Sequence, residues 1–456
     1  MSLKQEESAS EQDISFSEFV ARVPLRESLL ALAVVVFLGT RLGWFVEFGT
    51  QYDPRFSVVF AKVARHGIDK RETVYKDIAF EYPPLAWWFS AVPRLIDWNS
   101  YPNDNDAPED VVRCRNWYFH SFHVECLLAD IFCFGLIVAL GRLVSPRAEW
   151  LLPIGYCLVT VAQPYLIFDS FDLGLCAFFL AFCYCWLRST EAGAATDLWA
   201  LLAYAILGCG ISYKIMPILL VPFAALGDWR AGCGLRKGFA RGVALATTAA
   251  GPFLIHFALA GPGVFDLFRY HSQRGLQFES FWGSTVLARS ALGVPCQVVW
   301  EWGSYDVVGG ATDACRTPSR WIAPGLMAAV WGWTWWKRLD RRATLWAGIC
   351  AVELSAAFSY VYSPQYALWL LPLALLAATN LFGRRWLPWA LLIVFTTIIL
   401  SASCYIWPNH FEELSQLQPL FVSLSIVRSV SLVGLAGLLA WEWFAATRCA
   451  GGAAVQ

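Results

Sequence analysis

Long apolar runs separated by short polar loops fill most of the chain. A membrane-spanning helix needs about 20 mostly apolar residues, and fewer when it lies deep inside a bundle. The pattern therefore predicts an all-α protein, a polytopic transmembrane helix bundle with about twelve spans. The predicted spans are residues 28–46, 120–141, 150–167, 171–187, 198–211, 215–227, 243–260, 321–336, 345–360, 367–378, 386–403 and 420–444. A shorter apolar stretch, 83–96, is either a thirteenth span or a re-entrant helix.

Composition favours the same class of protein. Of the 456 residues, 57% are hydrophobic and only 15% are charged, whereas soluble proteins carry about 25% charged residues. The 24 tryptophans are typical of membrane interfaces. A net charge of −1 gives no reason to expect a nucleic-acid partner. We expect residues 1–27 and 446–456 to be cytoplasmic tails on a single transmembrane domain, residues 28–445.

The basic residues predict the orientation of the bundle, because short loops rich in Lys and Arg stay in the cytoplasm. With twelve spans and a cytoplasmic start, every basic cluster falls inside. These clusters are Arg142 with Arg147, Arg188, residues 230–241, residues 337–342, and Arg384 with Arg385. A full span at 83–96 would move the first cluster outside, so the re-entrant alternative is favoured. Two large extracytoplasmic loops then follow, 47–82 and 261–320.

The first of these loops holds two candidate carboxylates. Asp53 follows the first span and suits a general base that takes a proton from an acceptor hydroxyl. It equally suits a helix N-cap, since Asp followed by Pro is a good helix start. Residues 81–85 (EYPPL) place two prolines in a first helical turn, where their missing N–H groups cost nothing. We expect this motif to shape a cavity wall, with Tyr82 at the membrane interface and Glu81 as its only chemical candidate.

Two polar breaks interrupt the middle spans. Asp169 and Asp172 lie in a tight turn, and an ionisable group at membrane depth is costly and usually functional or paired. Asp169 or Ser170 could cap the next helix, while we favour Asp172 as a cavity-lining residue. Lys214 lies between two short apolar runs. Lys214 could bind a phosphate as a cation, or its side chain could reach along the helix to the membrane interface. The first role is slightly favoured.

The run 269–280 (RYHSQRGLQFES) is the most distinctive in the chain. Arg269 and Arg274 offer guanidinium groups that match phosphate oxygens. His271 could move a proton or orient a carboxylate. A solvated loop, in which an arginine pairs with Glu279 at little gain in stability, is the alternative. The variety of chemistry in one short run favours a binding role, with Gln277 also available.

Later in the chain, residues 362–366 open a span. Ser363 and Pro364 suit a helix start, while Gln365 and Tyr366 suit hydrogen bonds to sugar hydroxyls, and both interpretations stay open. Cys296 and Cys315 bracket one polar loop. They could form a disulfide if that loop is extracytoplasmic, or remain two free thiols.

Motifs for metals and nucleotides are missing from the sequence. The 14 cysteines show no metal-binding spacing, and no phosphate-binding loop, dinucleotide fingerprint or HExxH motif occurs. The first outer loop has no Asp-x-Asp pair. We therefore expect no cofactor. The missing Asp-x-Asp pair argues against a metal, while metal dependence stays open.

Taken in order, these motifs resemble the membrane-embedded glycosyltransferases of the GT-C type, especially the mannosyltransferase-like glycosyltransferase family 87, which uses polyprenyl-phosphate sugars. The matching elements are Asp53, residues 81–85, 169–172, 213–217 (Tyr-Lys-x-x-Pro), 271–280 and 363–366. Together they extend over residues 28–381. One departure is the turn 169–172 (DSFD), where relatives often have Gly-Gln-Phe-Asp. It leaves open how the cavity floor is built and which sugar fits.

The resemblance implies transfer of a hexose, with mannose the first candidate, from a polyprenyl-phosphate sugar donor to a glycan or glycolipid acceptor, with inversion. The reaction would take place on the extracytoplasmic or lumenal side of a bacterial plasma membrane or a eukaryotic endoplasmic reticulum. Asp53 is the implied base, and His271 would either assist it or contact the phosphate. The implied phosphate-binding residues are Arg274, Lys214 and Arg269. The implied sugar- and acceptor-binding residues are Asp172, Gln277, Glu279, Gln365, Tyr366 and Glu81.

A transporter or flippase for a lipid-linked or small polar solute is the alternative. Such proteins often contain internal repeats and broken helices near the bilayer midplane. This sequence shows no internal repeat, and its polar motifs are predicted on one face. Both features favour the enzyme.

Overall fold

The structure, a computed structural model, describes residues 25–51, 57–96, 117–191 and 196–450. The helices of its first half are α1 (Leu25–Gln51), α2 (Ser57–Ile68), α3 (Pro84–Ile96), α4 (Trp117–Val144), α5 (Ala148–Val161), α6 (Pro164–Asp169), α7 (Asp172–Arg188), α8 (Thr196–Tyr213), α9 (Val221–Arg230) and α10 (Leu235–Ala260).

The second half continues with α11 (Asp266–Gln273), α12 (Phe281–Ala291), α13 (Thr312–Trp336), α14 (Arg341–Ala357), α15 (Ala367–Leu381), α16 (Trp386–Ile406), α17 (Phe411–Ser415) and α18 (Pro419–Ala450). Two strands, β1 (Cys296–Glu301) and β2 (Ser304–Gly309), form a hairpin. Short 3₁₀ turns occupy Met216–Leu220, Gly261–Phe265 and Pro364–Tyr366. The predicted all-α bundle is therefore confirmed, with one small hairpin added.

Six of the described helices are long and apolar enough to cross a membrane. They cover Leu25–Glu47, Tyr118–Val144, Thr196–Tyr213, Leu235–Gln273, Trp386–Ile406 and Pro419–Arg448. Large apolar side chains such as Leu32, Leu128 and Ile393 face outward, as expected where lipid is the solvent. The protein is an integral, multi-span membrane protein. The count of about twelve spans stays a prediction.

Proline divides one of the predicted spans. The run 150–167 folds as two helices, since α5 ends at Val161 and α6 starts at Pro164. A proline lacks the N–H that a helix interior needs but fits the first turn. The apolar stretch 83–96 forms α3, and its re-entrant placement stays a prediction.

Helix α15 lies at the centre of the bundle. It is buried at every position from Ala367 to Ala378 and packs against α5, α7, α14 and α18. A helix that is apolar on all sides is expected in such a position. Trp369 on α15 and Trp186 on α7 are among the largest fully buried side chains. The start of α15 is therefore held firmly, and it carries part of the site described below.

The bundle has two chemically different ends. The basic loops meet at one end, where Arg147 donates to the Gly383 carbonyl at 2.8 Å and Arg342 donates to the Leu143 carbonyl at 3.0 Å. At the opposite end α7 and α15 begin, and α8 and α14 finish. Consecutive antiparallel helices bring those termini together. The polar motifs at residues 172, 214 and 366 therefore share one end.

The hairpin lies over the segment that follows α11. The Phe278 amide donates to the Tyr305 carbonyl at 3.0 Å, and the Val307 amide donates to the Leu276 carbonyl at 2.8 Å. Residues 276–278 thus lie against β2 through an isolated antiparallel bridge between Gln277 and Asp306. Cys296 on β1 and Cys315 on α13 are free thiols in the structure, so the disulfide alternative is not formed.

Candidate functional site

Two ion pairs lie at the end of the bundle opposite the basic loops. Arg274 Nη2 lies 2.5 Å from Glu81 Oε2, and Lys214 Nζ lies 2.8 Å from Asp172 Oδ1. The four side chains come from four separate parts of the chain, so only the fold brings them together. We call these four residues, with Tyr82, His271 and Tyr366, the polar cluster.

Helix ends position the Asp172–Lys214 pair. Asp172 is the first residue of α7, and Lys214 directly follows α8. A carboxylate near a helix N-terminus and a cation near a C-terminus are both stabilised by the helix dipole. Asp172 Oδ1 also accepts a hydrogen bond from Trp369 Nε1 at 3.0 Å. The carboxylate is therefore fixed by two other helices.

Two tyrosines surround the Lys214 ammonium. Its Nζ lies 4.9 Å from the centroid of the Tyr366 ring and 5.9 Å from that of Tyr82. Burial lowers the pKa of Lys214, but the charges of Asp172 and Glu81 are among the groups that raise it, and the net pKa lies above its usual value. Lys214 therefore stays charged at neutral pH.

Tyr82 lies within the cluster, 5.9 Å from Lys214 Nζ; its expected place at the membrane interface stays a prediction. Burial first, and then the carboxylates of Glu81 and Asp172, raise the pKa of the Tyr82 hydroxyl well above its usual range. The phenol therefore stays neutral and keeps its proton as a hydrogen-bond donor. Its carbonyl accepts a hydrogen bond from Tyr75 at 2.7 Å, which fixes the backbone of the 81–85 motif.

The Glu81–Arg274 pair is framed by main-chain contacts. Arg274 Nε donates to the Trp302 carbonyl at 3.3 Å, and the guanidinium carbon lies 5.0 Å from the Tyr270 ring centroid. His271 Nε2 lies 3.1 Å from the Glu81 carbonyl oxygen. Because a carbonyl only accepts, this nitrogen carries the proton. His271 thus ties α11 to the 81–85 motif.

Gly303 allows the hairpin to come this close. Its φ is +63°, and a Cβ there would lie 1.7 Å from the Tyr270 hydroxyl. Any other residue would strain the backbone and displace Tyr270. A second close contact joins the Gly275 amide to Asp306 Oδ2 at 2.8 Å. The loop that carries Arg274 is therefore attached to the hairpin at two points.

Other predicted site residues lie outside the cluster. Arg269 does not join it, because this side chain lies on an exposed face of α11, 67% exposed, where it is 3.7 Å from Asp266. Glu279 points away from it and pairs with the buried Arg428 at 3.2 Å. Arg428 also donates to the Glu279 carbonyl at 3.1 Å. These two residues fix the start of α12.

The remaining predicted residues lie near the cluster with different partners. Gln365 Oε1 accepts a hydrogen bond from the Ser363 hydroxyl at 2.5 Å. The backbone N–H of Gln277 donates a hydrogen bond to the Tyr360 carbonyl at 3.0 Å. Among the described residues, its side-chain oxygen Oε1 is buried and has no hydrogen-bond partner. Gln277 therefore has a buried side-chain acceptor that is available to a ligand.

Asp53 lies outside the described residues. The helix that follows it, α2, begins at Ser57, whose amide donates to Asp169 Oδ1 at 2.8 Å. Asp169 therefore caps α2 rather than the helix that starts near Phe171. This contact links the segment after Asp53 to the turn that carries Asp172.

Several members of the site were not selected from the sequence. Trp369 occurs three residues after Tyr366, a spacing that shares a helix face, so it could have been found. Tyr270 and Trp302 gave no such indication, since their roles depend on a long-range approach of the hairpin. Within the part of the chain that the structure describes, no three His, Cys, Asp or Glu side chains are grouped to hold a metal.

No protein-family model matches this chain, and no curated protein matches it either. Among solved structures, ArnT from Cupriavidus metallidurans bound to undecaprenyl phosphate is similar, with 13% identity, a TM-score of 0.48, and coverage of 94% of this chain and 78% of ArnT. The apo state of ArnT gives 13% identity, a TM-score of 0.46, and coverage of 94% and 77%.

The Archaeoglobus fulgidus oligosaccharyltransferase in its apo form is 9% identical, with a TM-score of 0.46. The match covers 92% of this chain and 56% of the oligosaccharyltransferase. With TM-scores below 0.5, these likenesses establish neither a family nor an activity for this chain.

Proposed function

We propose that the protein is a GT-C-type membrane glycosyltransferase. It moves a hexose, with mannose the first candidate, from a polyprenyl-phosphate sugar to a glycan or glycolipid acceptor, with inversion at the anomeric carbon. The observation that carries the proposal is the polar cluster, where two cations and two carboxylates from distant parts of the chain meet among aromatic rings at one end of a membrane bundle.

Arg274 and Lys214 suit the phosphate of the donor. When the sugar leaves, negative charge develops on the lipid phosphate, and fixed cations away from bulk water stabilise such charge strongly. Lys214 has three N–H donors, and Asp172 accepts from one of them. Arg274 gives one bond to Glu81 and one to a carbonyl. Both cations therefore retain donors for phosphate oxygens.

The paired carboxylates have a second use. They hold the cations in place before the donor arrives, so that little rearrangement is needed when a phosphate binds. Glu81 has a side chain that is 28% exposed, so it can accept a hydrogen bond from a hydroxyl while it stays paired with Arg274. Glu81, Asp172, Gln277, Gln365 and Tyr366 are the proposed sugar and acceptor contacts.

Asp53 is the proposed base. The acceptor oxygen forms a bond to the anomeric carbon while the bond from that carbon to the phosphate oxygen breaks, and the acceptor proton passes to the Asp53 carboxylate. The electron pair stays on the lipid phosphate. The hydrogen bond from Ser57, four residues after Asp53, to Asp169, three residues before Asp172, supports this assignment. His271 is proposed to assist by holding the Glu81 backbone.

The side of the membrane is part of the proposal. Basic loops favour the cytoplasm, and they lie at the end of the bundle opposite the polar cluster. The cluster would then face the periplasm or the lumen, where the acceptor glycan is found.

A transporter or flippase is the second candidate. The observation in its favour is the break after α8, where the 3₁₀ turn Met216–Leu220 follows Lys214 directly. Broken helices often line substrate sites in transporters. Movement of a labelled lipid-linked sugar across a vesicle membrane, without cleavage of the sugar from its lipid phosphate, would support this alternative.

The test uses the purified full chain in nanodiscs with radiolabelled polyprenyl-phosphate-mannose and polyprenyl-phosphate-glucose. We expect the sugar of at least one donor to be transferred to a glycan acceptor. We expect Asp53→Asn to lose this transfer while the yield of folded protein stays unchanged. Asp313→Asn makes the same chemical change in the first turn of α13, outside the polar cluster, and is the matched control. If Asp53→Asn transfers sugar as fast as the natural protein, the proposed base is wrong.

A further inference from the structure

The tip of the hairpin lies directly beside the polar cluster. Trp302 and Gly303 form the turn, with φ values of 49° and 63°. The Trp302 carbonyl accepts a hydrogen bond from Arg274. The position of a Cβ on Gly303 would be 3.4 Å from Glu81 Oε2. The tip is therefore within contact distance of the Glu81–Arg274 pair.

Two indole rings are exposed at this tip. Trp300 is 62% exposed and Trp302 is 42% exposed. Trp302 makes an edge contact with Tyr270, with ring centroids 6.1 Å apart at 84°, and Trp300 makes a similar contact with Tyr305 at 4.6 Å. The rings are held on one side and open on the other. Two exposed rings beside a polar site form an apolar patch with a polar rim, which often marks a binding surface.

The charge of the hairpin indicates what it binds. Residues 296–310 contain two acids, Glu301 and Asp306, and no Lys or Arg. Asp306 is buried and bonded to Gly275 and Ser304, whereas Glu301 is exposed. The single exposed carboxylate, with no cation on the hairpin itself, disfavours a phosphate or an anionic lipid head group on the tip. An indole face beside an exposed carboxylate instead suits a neutral sugar ring, which has an apolar C–H face and hydroxyl donors on its edge.

We propose that the hairpin tip is a binding platform for a neutral sugar unit of the acceptor. The Trp302 indole packs against the C–H face of the ring, and Glu301 accepts hydrogen bonds from its hydroxyls. The name acceptor rests on the proposed transferase function, but the binding of a sugar does not. The hydrogen bond to Arg274 comes from the main chain of residue 302, so side-chain changes at Trp302 leave it in place.

The experiment measures equilibrium binding of neutral probes, a panel of manno- and gluco-trisaccharides, to the full chain in nanodiscs by saturation-transfer NMR. We expect at least one trisaccharide to bind. Loss of one stacked aromatic face weakens such binding about tenfold, so Trp302→Ala and Trp302→Leu should both show that loss. Trp302→Phe, which keeps a ring, should restore most of it. Trp336→Ala, at a 68% exposed tryptophan on α13, is the matched control.

Two results would overturn the proposal. If no trisaccharide of the panel binds the natural protein, the tip is not a sugar platform. If Trp302→Leu binds as well as the natural protein, the indole face does not hold the sugar, whatever the result for Trp302→Ala. Binding of polyprenyl phosphate is measured on the same samples. If the natural protein binds a trisaccharide but no polyprenyl phosphate, only the proposed function is contradicted. If it binds polyprenyl phosphate but no trisaccharide, only the platform is contradicted.

Discussion

Two ion pairs of the same chemical type lie in different surroundings. Arg41 and Asp130, joined at 2.7 Å, have side chains that are 1% and 0% exposed. Glu81 and Arg274, joined at 2.5 Å, have side chains that are 28% and 12% exposed. The first pair is closed by protein on all sides, and the second opens to the outside. The difference indicates which pair holds the bundle together and which can meet a ligand.

The closed pair has its hydrogen-bonding capacity largely used. The Tyr156 hydroxyl donates to Asp130 Oδ1 at 2.5 Å, and the Arg41 guanidinium donates to Thr160 and lies 4.6 Å from the Phe37 ring centroid. The pair therefore links α1, α4 and α5. A charge at this depth is tolerated because it is both paired and hydrogen-bonded.

The largest expected effect comes from breaking the closed pair. Asp130→Asn leaves the Arg41 guanidinium buried without a counter-charge, and such changes cost about 3–5 kcal/mol of stability. We expect a clear fall in the unfolding temperature in detergent and a lower yield of folded protein. The double variant Arg41→Met/Asp130→Leu should recover much of the loss, since apolar replacements of buried pairs are often neutral. An unchanged unfolding temperature in Asp130→Asn would contradict the structural role of the pair.

The open pair should behave in the opposite way. Arg274→Gln removes charge-assisted hydrogen bonds that are each worth about 1.5–3 kcal/mol, so binding of polyprenyl phosphate should weaken by roughly 10- to 100-fold. The unfolding temperature should change little, because Glu81 can be solvated. Arg274→Lys keeps the charge but loses the planar fork, and it should recover only part of the affinity. Equal loss of stability and binding would show that the two pairs do not differ in role.

A smaller effect is expected at the hairpin turn. Gly303→Ala puts a methyl group against the Tyr270 hydroxyl and forces a positive φ on a residue with a side chain, which costs about 1–3 kcal/mol. Thermal unfolding should show this cost, and phosphate binding should fall because the turn supports Arg274. Gly293→Ala is the control, since that glycine also has positive φ but no atom lies within 4 Å of its Cβ position. If both variants bind phosphate equally well, the turn does not position Arg274.

The smallest effect is expected at Arg269. Its exposed pair with Asp266 contributes about 0–1 kcal/mol, so Arg269→Gln should leave both stability and phosphate binding within error of the natural protein. The change removes the same charge as Arg274→Gln from a position five residues away. If phosphate binding falls as much as in Arg274→Gln, net charge rather than geometry controls the site.

The sequence singled out several residues that the fold brings together in the polar cluster, and it missed the closed pair. Asp172, Lys214, His271 and Arg274 stand out because polar residues interrupt apolar runs there. Arg41 and Asp130 lie inside two of those runs, where a single charge does not disturb the hydrophobic pattern. Local spacing therefore does not reveal them.

Partner choice was also beyond the sequence. Glu81 and Arg274 are separated by 193 residues. Nothing in the sequence indicated that Arg428 on α18 pairs with Glu279. Such pairs depend on how the helices pack against one another. The periodicity of each helix does not determine that packing. The exposure of Arg269 follows from the face of α11 on which it lies.

One oxygen atom connects three helices at the site. Asp172 Oδ1, at the start of α7, accepts hydrogen bonds from Lys214 at the end of α8 and from Trp369 near the start of α15. If one of these helices tilts relative to the others, a bond to that oxygen must lengthen. Helices tilt to match the thickness of the hydrocarbon layer. Any tilt of one of these three helices relative to the others would therefore change the geometry of the site.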